Sequence, residues 1–434
     1  MRIAMLTNNY RPFVGGVPIS VERQAEELVK LGHEVTVFAP VYGKDEAEQA
    51  EVKAADDKAP ERVIRYRTQK RKMDNGMVYP SLYPYEITEA FRRESFDCIH
   101  VHHPMFVGPV ALALGKKYDI PVIYTYHTRY EDYLHYIPCF RTDEGSSALK
   151  KKLVDKIGET IIPSYMKWFG NRCDLVLAPS AGMQQVIREY GVKGPSAIFP
   201  TGLAEDFYRG DAARSSQIRQ QYGKGKKHLL VTVSRLEKEK NYRFLFRGIA
   251  ELRHQFGDDF QLMVIGDGSR KAQLKNGAAI LGIQDLITFV GNVPNEEVKY
   301  YLGAADLFLF ASKSETQGIV LAEAMAAGNP VVAVHAVGSD DIVKDGYNGY
   351  LTEENEAAWA LRAAEALKPE INRKMRQAAL RTAENYRASS LAIYEEMLYN
   401  QCVRRKGETA YEGTEYGTFG QEEDRTENSA MVIH

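Results

Sequence analysis

Two glutamates eight residues apart, Glu315 and Glu323, stand in the run SETQGIVLAEAMAAGNPVVA and are the residues best placed to do chemistry. Gly318 lies between them and predicts the start of a helix, whose N-terminus would attract phosphate through its exposed N–H groups and partial positive charge. Carboxylates do not bind phosphate, but they accept hydrogen bonds from sugar hydroxyls. The run therefore suits a nucleotide-sugar. The alternative is an ordinary α/β segment with two solvated glutamates.

A pair of cations provides a second candidate feature. Arg235 and Lys240 lie five residues apart in SRLEKEKN, directly after an apolar run. Two fixed cations at the end of a strand could neutralise a diphosphate leaving group. The pair alone also fits a solvated surface, but glycine turns at Gly266 and Gly291 follow two nearby apolar runs. Ligands of open α/β sheets bind at that edge, which favours the functional interpretation.

Paired glycines follow the first apolar run of the chain. Gly15 and Gly16, in NNYRPFVGGV, precede a helix predicted from about Ser20 to Leu31. Glycines at this position let the backbone approach a ligand closely. Because the spacing is not G-x-G-x-x-G, a dinucleotide site is weakly supported, and a plain βα turn is the alternative.

Three histidines end another apolar run, and their spacing raises the question of a metal. His100 and His102 are two residues apart, which places them on one face of a strand, and His103 follows. No cysteine or acid stands at ligand spacing, so we expect a strand end lining an acceptor cleft instead. The next such run, 121–128, contains His127 and overlaps the segment TYHTRYEDYLHYIP (125–138). A partly buried aromatic connection is the alternative interpretation of that segment.

The apolar runs themselves predict an α/β fold with two doubly wound parallel sheets. They are continuous rather than alternating, which indicates strands buried on both faces, and helical patterns separate them. One set precedes a polar stretch at 200–228 and the other follows it. The runs are 3–6, 34–40, 98–103, 121–128 and 174–180, then 229–235, 260–266, 287–291, 306–312 and 330–334.

Domain boundaries follow from the polar stretches. We predict a first domain at 1–200, completed by a C-terminal helix within 385–405, and a second at 201–384, with the hinge near 200–202. The segment 43–60 is predicted to be a charged connection. The tail 406–434 is rich in Gly, Glu and Thr and is predicted to be disordered.

The composition is that of a soluble globular protein. The 434 residues carry a net charge of −2, which gives no overall signature of nucleic-acid binding. The chain has neither a signal-peptide pattern at its start nor an apolar run long enough to span a bilayer, so we expect a cytoplasmic location with at most peripheral membrane contact. The four cysteines are scattered and are predicted to be thiols: Cys98, Cys139, Cys173 and Cys402.

Together, the Arg235/Lys240 pair and the Glu315/Glu323 run resemble the motifs of family 4 of the retaining glycosyltransferases. The resemblance covers roughly residues 1–400 and implies the GT-B fold, in which two Rossmann-like domains face each other across a cleft. It departs in one place, where Asp341 stands at a position that is commonly Glu. The segments 100–114 and 125–138 further resemble bacterial 1,2-diacylglycerol 3-alpha-glucosyltransferases.

The resemblance implies a role for each candidate residue. Arg235 and Lys240 would bind the donor diphosphate, and Glu315 would bind the sugar hydroxyls. Glu323 would hold the ribose, and His127 would face the sugar near its reacting carbon. The catalytic set would be His127, Arg235, Lys240 and Glu315, with further donor contacts from Gly15, Gly16, Gly266, Val293, Thr316, Gln317, Gly318, Ile319 and Val320.

The implied reaction transfers a hexose, with glucose expected, from a UDP-sugar to diacylglycerol with retention, and it needs no metal or other cofactor. A lipid acceptor predicts basic stretches that contact an anionic membrane. Two candidates are 62–73, with six basic residues, and 149–170, which mixes lysines with apolar residues; a solvated charge run is the alternative for each. Three other functions stay open. They are transfer to a soluble or polysaccharide acceptor, an inactive nucleotide-sugar or lipid-surface binding protein on the same fold, and a GT-B sugar-nucleotide epimerase, which the chain resembles less.

Overall fold

The computed structural model describes residues 1–13, 15–43, 45–72, 78–81, 84–131 and 147–408. The chain divides into two compact units. The first comprises Met1–Gly202 together with the chain from Ala388 onward, and the second comprises Leu203–Arg387. The predictions for Cys139, most of segment 125–138 and the end of the tail lie outside the described residues.

The first unit contains a seven-stranded parallel sheet, in the order β3-β2-β1-β6-β7-β8-β9, and a separate antiparallel pair, β4-β5. The strands are β1 (Arg2–Leu6), β2 (Glu34–Pro40), β3 (Arg62–Tyr66), β4 (Thr68–Lys72), β5 (Val78–Pro80), β6 (Cys98–Val101), β7 (Val122–Thr125), β8 (Leu175–Ala178) and β9 (Ser196–Ile198).

Helices cover this sheet, and the last helix of the chain returns to it. The helices are α1 (Gly16–Lys30), α2 (Glu46–Asp56), α3 (Tyr85–Arg93), α4 (Val107–Tyr118), α5 (Ala148–Lys156), α6 (Ile162–Gly170), α7 (Ala181–Glu189) and α16 (Ala388–Gly407), and a π-helical segment, Ile157–Ile161, joins α5 to α6. Helix α16 packs against α1 and adds Leu391, Leu398 and Tyr399 to the core of the first unit.

The second unit contains a six-stranded parallel sheet in the order β12-β11-β10-β13-β14-β15. Its strands are β10 (His228–Val233), β11 (Phe260–Ile265), β12 (Ile287–Gly291), β13 (Leu307–Phe310), β14 (Val331–Val334) and β15 (Gly349–Thr352). Its helices are α8 (Ala212–Tyr222), α9 (Tyr242–Phe256), α10 (Lys271–Ile280), α11 (Asn295–Ala304), α12 (Ile319–Ala326), α13 (Val337–Ile342), α14 (Glu356–Ala366) and α15 (Pro369–Glu384).

Both faces of the second sheet are buried. Leu230 belongs to one hydrophobic cluster, whereas its neighbours Leu229 and Val231 belong to another. Successive side chains of a strand point to opposite faces, so a strand between two helical layers must be apolar throughout. This requirement explains why continuous apolar runs marked the strands, and the predicted α/β class with two Rossmann-like domains is confirmed.

Three edge strands were not predicted from the sequence. Strands β3, β9 and β15 each lie at the edge of a sheet, and none was predicted. Edge strands have one free side, so they tend to be short and tolerate charged residues, as the two arginines of RVIRY in β3 show. Their sequences therefore lack the continuous apolar run on which the prediction depended.

Two helix predictions were wrong in detail. The segment 43–60, predicted as a connection, contains α2, whose N-terminus is capped by Asp45 accepting a hydrogen bond from the Glu48 N–H. Alanines and glutamates favour this helix although it has little apolar content. Helix α1 begins at Gly16 rather than near Ser20, so the paired glycines form the helix start itself.

Candidate functional site

The second sheet reverses its direction of growth between β10 and β13. The chain adds β11 and β12 on one side of β10 and then returns to place β13 on the other side. Such a switch point opens a crevice at the carboxyl ends of the two strands, and ligands of open α/β sheets bind there. Arg235 and Lys240 follow β10, and Glu315 follows β13, so these three predicted residues lie on the loops that flank the switch point.

Lys240 and Glu315 are in direct contact. The Lys240 ammonium donates to Glu315 Oε1, and both side chains are mostly buried, with exposed fractions of 12% and 20%. Ser312 supports this pair, because its hydroxyl lies 3.3 Å from Glu315 Oε1 and 3.3 Å from the Glu239 carbonyl oxygen. The structure thus brings the predicted phosphate-binding cation and sugar-binding carboxylate together.

Burial and charge act in opposite directions on Glu315. Burial alone would raise the pKa of the Glu315 carboxyl, but the nearby Lys240 ammonium, the Ser312 hydroxyl and the Arg235 charge hold that pKa below its ordinary value. Glu315 is therefore ionised at neutral pH. It can accept hydrogen bonds but cannot donate one, which fits a contact with hydroxyl groups.

Arg235 reaches further into solvent than Lys240. Its guanidinium lies 3.1 Å from Glu239 Oε1, and its side chain is 54% exposed. Glu239 is itself nearly buried, so it orients Arg235 while leaving much of the guanidinium accessible. The two cations thus differ in setting: Lys240 is held within the loop, and Arg235 extends from it.

Glycines pack the loops of this edge against one another. An added Cβ at Gly266 would lie 2.1 Å from the Ser234 carbonyl oxygen, and the Gly266 φ of +122° is one that other residues rarely adopt. The Gly266 N–H also donates to the Gly291 carbonyl at 2.8 Å. The loops after β10, β11 and β12 are therefore joined backbone to backbone. Val293 follows β12 and lies half-buried against the core.

Helix α12 and the three residues before it contain the remaining predicted donor contacts. Gly318 caps the helix with a φ of +73°, which a glycine adopts at little cost. The Gly338 N–H donates to the Glu315 carbonyl, and an added Cβ at Gly338 would lie 2.6 Å from Gln317. The loop before α12 is therefore packed closely against the backbone at Gly338. Gln317 and Glu323 are buried, whereas Thr316, Ile319 and Val320 are half-buried.

In the first unit, the glycine pair lies at a helix N-terminus after β1. Gly15 caps α1 with extended backbone, and Gly16 is its first residue. An added Cβ at Gly16 would have no atom of the described residues within 4 Å, whereas one at Gly15 would lie 3.2 Å from the Phe13 ring. The space in front of Gly16 is therefore open within this unit. The preceding loop is held by Arg11, which pairs with Glu22, Asp56 and Glu61.

The predicted histidines lie near the switch point of the first sheet, where β1 has β2 on one side and β6 on the other. His103 Nδ1 lies 3.3 Å from Thr7 Oγ1 and 3.1 Å from the Asn8 nitrogen, which joins the loops after β1 and β6. His102 Nδ1 lies 3.0 Å from Nε2 of His127, which follows β7. Burial, with added repulsion from His103 and His100, holds the pKa of His127 well below its ordinary value, so this ring is neutral at pH 7.

The described part of the chain contains no cluster of histidine, cysteine and acidic side chains suited to a metal ion. His100 instead bonds to Tyr399 and Thr125 at 2.6 Å each. The three described cysteines, Cys98, Cys173 and Cys402, are buried thiols.

The two basic stretches have different structures. The first, 62–73, forms β3 and β4, and three of its arginines are paired: Arg62 with Glu94, Arg65 with Asp56 and Arg67 with Glu86. These arginines bind carboxylates of their own unit, which weakens the membrane interpretation of this stretch.

The second stretch is helical from α5 to α6 and exposes an apolar stripe. The exposed fractions are 79% for Leu149, 56% for Leu153, 55% for Ile161 and 40% for Trp168. Their spacing places them near one side of the helix, while Ile162, Met166 and Phe169 are buried in the unit. Lysines accompany the stripe: Lys150, Lys151, Lys152, Lys156 and Lys167. Among the described residues, no helix is long and apolar enough to cross a bilayer.

Several residues that shape these sites were not predicted from the sequence. Ser312 and Glu239 fix Glu315 and Arg235, and His102 contacts His127. Glu239 stands four residues after Arg235, which is the spacing of an ion pair on a helix, although the segment is a loop ending in a single 3-10 turn, Lys238–Lys240. No local pattern marks Ser312.

Comparison with known proteins identifies the family. A model described as "Glycosyltransferase Family 4" matches residues 14–207, and one described as "Glycosyl transferases group 1" matches residues 214–384. The alpha-monoglucosyldiacylglycerol synthase of Streptococcus pneumoniae is 30% identical over 382 residues, which is 86% of this chain and 80% of that protein. The chain belongs to family 4 of the glycosyltransferases, as the motifs predicted.

Other similar proteins cover nearly as much of the chain. An alpha-monoglucosyldiacylglycerol synthase of Acholeplasma laidlawii is 29% identical over 82% of this chain and 86% of its own. A GDP-mannose-dependent alpha-(1-6)-phosphatidylinositol monomannoside mannosyltransferase of Mycolicibacterium smegmatis is 27% identical over 80% and 84%. The structure of sucrose-phosphate synthase from Thermosynechococcus elongatus matches with a TM-score of 0.71 at 19% identity, over 93% of this chain and 99% of that one, which shows the shared fold.

Proposed function

We propose that this protein is a retaining glucosyltransferase that moves glucose from UDP-glucose to diacylglycerol at the cytoplasmic face of a membrane. The observation that carries the proposal is the Lys240–Glu315 pair beside Arg235 at the switch point of the second sheet. It supplies cations for a diphosphate and a carboxylate for sugar hydroxyls at one edge. The similarity to two alpha-monoglucosyldiacylglycerol synthases supports the choice of sugar and acceptor.

Each donor residue has a specific task in this reaction. Arg235 and Lys240 bind the diphosphate and stabilise the charge that develops as it leaves, with help from the N–H groups at the start of α12. Glu315 accepts hydrogen bonds from glucose, and Glu323 accepts them from the ribose hydroxyls. Thr316 to Val320 and the loops at Gly266 and Val293 complete the donor site. Because two cations stabilise the leaving group, the reaction needs no metal.

Retention follows in the proposed mechanism from attack on the face that the diphosphate leaves. The bond from C1 of glucose to the diphosphate oxygen breaks, and a bond from C1 to the acceptor hydroxyl oxygen forms. The acceptor proton passes to an oxygen of the departing diphosphate. His127 contacts the sugar near this carbon, and Gly15 and Gly16 bring the N-terminus of α1 to the diphosphate. The sugar in UDP-glucose is α-linked, so an alpha product, as the names of the two synthases state for those proteins, requires retention.

The helical stretch from α5 to α6 supplies the proposed membrane contact. Its exposed Leu149, Leu153, Ile161 and Trp168 can enter the boundary between headgroups and acyl chains. The accompanying lysines attract anionic lipids with about 1 kcal/mol each near the surface. A surface of this composition brings the enzyme to diacylglycerol, which is itself confined to the bilayer.

A second function has specific support. The mycobacterial relative is named for GDP-mannose and for a phosphatidylinositol mannoside, so a different nucleotide-sugar and a different acceptor occur within the same family. Glucose and mannose differ in the orientation of one hydroxyl group, which the chemistry of Glu315 alone cannot distinguish.

The test is a product assay by mass spectrometry. The purified protein is incubated with liposomes containing diacylglycerol and anionic lipid, and separately with UDP-glucose, UDP-galactose or GDP-mannose. We expect hexosyl-diacylglycerol from UDP-glucose. A product formed only from GDP-mannose would show that GDP-mannose, and not UDP-glucose, is the donor. Hydrolysis of UDP-glucose without any lipid product would indicate a soluble acceptor. No binding or turnover of any nucleotide-sugar would contradict the enzyme assignment.

A further inference from the structure

The first unit holds His127 through another histidine, His102, for which the proposed reaction provides no role. His102 directly follows β6, and its backbone N–H donates to the Leu6 carbonyl at 2.9 Å. His127 lies two residues after the neighbouring β7, and the N–H of the preceding Tyr126 donates to the Leu177 carbonyl at 2.9 Å. Both histidines are therefore attached to fixed backbone at the sheet edge, and their Nδ1 and Nε2 atoms lie 3.0 Å apart.

The burial of His102 indicates whether His102 Nδ1 or His127 Nε2 carries the proton of their hydrogen bond. Its side chain is completely buried, and burial together with the adjoining rings of His100, His127 and His103 holds its pKa well below the ordinary value. A neutral imidazole has one N–H group. His102 Nε2 has no hydrogen-bond partner among the described residues.

An unpartnered buried acceptor is less costly than an unpartnered buried N–H group. His102 therefore carries its proton on Nδ1 and donates it to His127 Nε2. Since His127 is also neutral and its Nε2 accepts this hydrogen bond, its own proton resides on Nδ1. His127 is thus fixed as an Nδ1–H donor.

A second layer fixes the ring of His102. The His100 ring centroid lies 4.1 Å from that of His102. Both nitrogens of His100 are bonded at 2.6 Å, to Tyr399 and to Thr125, and the Tyr399 hydroxyl donates to the buried carboxylate of Glu395 at 2.6 Å. Because His100 is held at both ends, it gives His102 a fixed surface to pack against. Helix α16, which carries Tyr399 and Glu395, is therefore part of this arrangement.

We propose that His102 is a positioning residue that selects the Nδ1–H tautomer of His127 and fixes the direction in which His127 presents this donor. This inference rests on the proposed function, in which His127 contacts the sugar near its reacting carbon. A donor held in one direction can hydrogen-bond a sugar oxygen without first reorienting, which is how a preorganised site lowers a barrier.

The first test compares two substitutions of His102 in the full-length protein. In His102→Asn, the amide nitrogen can occupy the position of Nδ1 and donate to His127. In His102→Phe, an aromatic ring remains but no donor does. We expect His102→Phe to lower kcat roughly 10- to 100-fold, as the loss of a residue that orients a functional side chain typically does, with little change in the KM for UDP-glucose. His102→Asn should recover most of that loss. Equal activities in the two variants would overturn the proposal.

The second test needs no substrate and separates the tautomer of His127 from its role in the proposed reaction. Long-range proton–nitrogen correlation spectra of ¹⁵N-histidine-labelled protein report which nitrogen of each ring is protonated, and the His127 signals are assigned by their loss in His127→Gln. We expect Nδ1–H for His127 in the wild type and in His102→Asn, and mixed tautomers in His102→Phe. An Nε2–H His127 in the wild type would overturn the inference. Full activity of His127→Gln would instead contradict the role of His127 in the proposed function.

Discussion

Lys240 and Glu315 form an ion pair across the two loops that follow β10 and β13, although 75 residues separate them in the chain. The charges of the two side chains neutralise each other until a nucleotide-sugar binds. A diphosphate that approaches Lys240 would replace the carboxylate as its partner and leave Glu315 able to accept hydrogen bonds from sugar hydroxyls. The same contact therefore preorganises a cation and an acceptor at the edge where ligands of such sheets bind.

Replacing Lys240 should lower turnover more than it weakens donor binding. Lys240→Ala removes a charge that stabilises the departing diphosphate, and losing one such group typically costs about 10²–10³ in kcat. The measurement is steady-state kinetics with UDP-glucose and diacylglycerol liposomes. Lys238→Ala is the matched control, because Lys238 is an exposed lysine of the same short turn. A wild-type kcat in Lys240→Ala would show that Lys240 does not stabilise the departing diphosphate.

The same pair predicts how stability depends on pH. The pKa of Glu315 is held below its ordinary value in the folded protein, so its ionised form contributes stability above the unfolded-state pKa of about 4.3. That contribution is lost as the pH falls through the folded-state pKa. Lys240→Met should therefore lower the free energy of unfolding at pH 7 by roughly 1–3 kcal/mol and by less near pH 3.

Urea unfolding of the wild type and of Lys240→Met at both pH values provides this comparison. The two proteins should approach each other in stability as the pH falls. A difference that stays constant from pH 7 to pH 3 would show that Lys240 stabilises the loop by packing rather than by its charge.

Glu323 should act on donor affinity rather than on turnover. Its carboxylate is buried in α12, and we expect it to accept hydrogen bonds from the ribose. A hydrogen bond to a charged group contributes about 1.5–3 kcal/mol, so Glu323→Gln should weaken UDP binding by roughly tenfold or more. Calorimetric titration with UDP measures this directly. Glu353→Gln, at an exposed glutamate of the same unit, is the control. Unchanged UDP affinity in Glu323→Gln would argue against the ribose contact.

Gly16 offers a substitution that tests a ligand contact without disturbing the fold. A Cβ at Gly16 would meet no described atom within 4 Å, so Gly16→Ala should keep the wild-type melting temperature. If the diphosphate approaches the N-terminus of α1, the added methyl group should weaken donor binding by about tenfold, which corresponds to about 1.4 kcal/mol. Gly210→Ala is the control, because its Cβ would be equally unobstructed. Wild-type affinity in Gly16→Ala would place the donor away from this turn.

The exposed stripe from α5 to α6 should control membrane binding. Leu149→Gln combined with Leu153→Gln removes two apolar side chains that are 79% and 56% exposed, and it leaves the buried residues of α6 unchanged. Sedimentation with anionic liposomes should show most of the protein released by this double substitution. Leu361→Gln with Leu380→Gln, at exposed leucines of the second unit, should leave liposome binding unchanged. Equal release by both pairs would show that exposed apolar area in general, and not this stripe, binds lipid.

The central strands were predicted well because their burial on both faces leaves a continuous apolar run within each strand. Strand β2 begins and ends at the predicted residues, and β11 begins at its predicted first residue, since burial on both faces requires an unbroken apolar run. The edge strand β3 contains charged residues and was missed, and the capped helix α2 was missed because it has little apolar content. Local pattern is informative where an element is buried and much less so at edges and surfaces.

Site contacts were less accessible to sequence reasoning, because they depend on which strands become neighbours. The motifs indicated Lys240 and Glu315 individually, but their pairing requires β10 to lie beside β13. Likewise, His102 and His127 meet because β6 pairs with β7 in parallel, which brings both strand ends to one edge. Ser312 and Glu239 support these sites through single contacts that leave no pattern in the chain.

The anomeric configuration of the lipid product distinguishes a retaining transfer to diacylglycerol from every other reaction. The protein is incubated with UDP-glucose and diacylglycerol liposomes, and the purified product is examined by proton NMR. We expect α-glucosyl-diacylglycerol, with the configuration of the UDP-glucose donor retained, and loss of this product in Lys240→Ala. A β-glucosyl product would contradict the mechanism, and the absence of any glucosylated lipid from the wild type would contradict the proposed function.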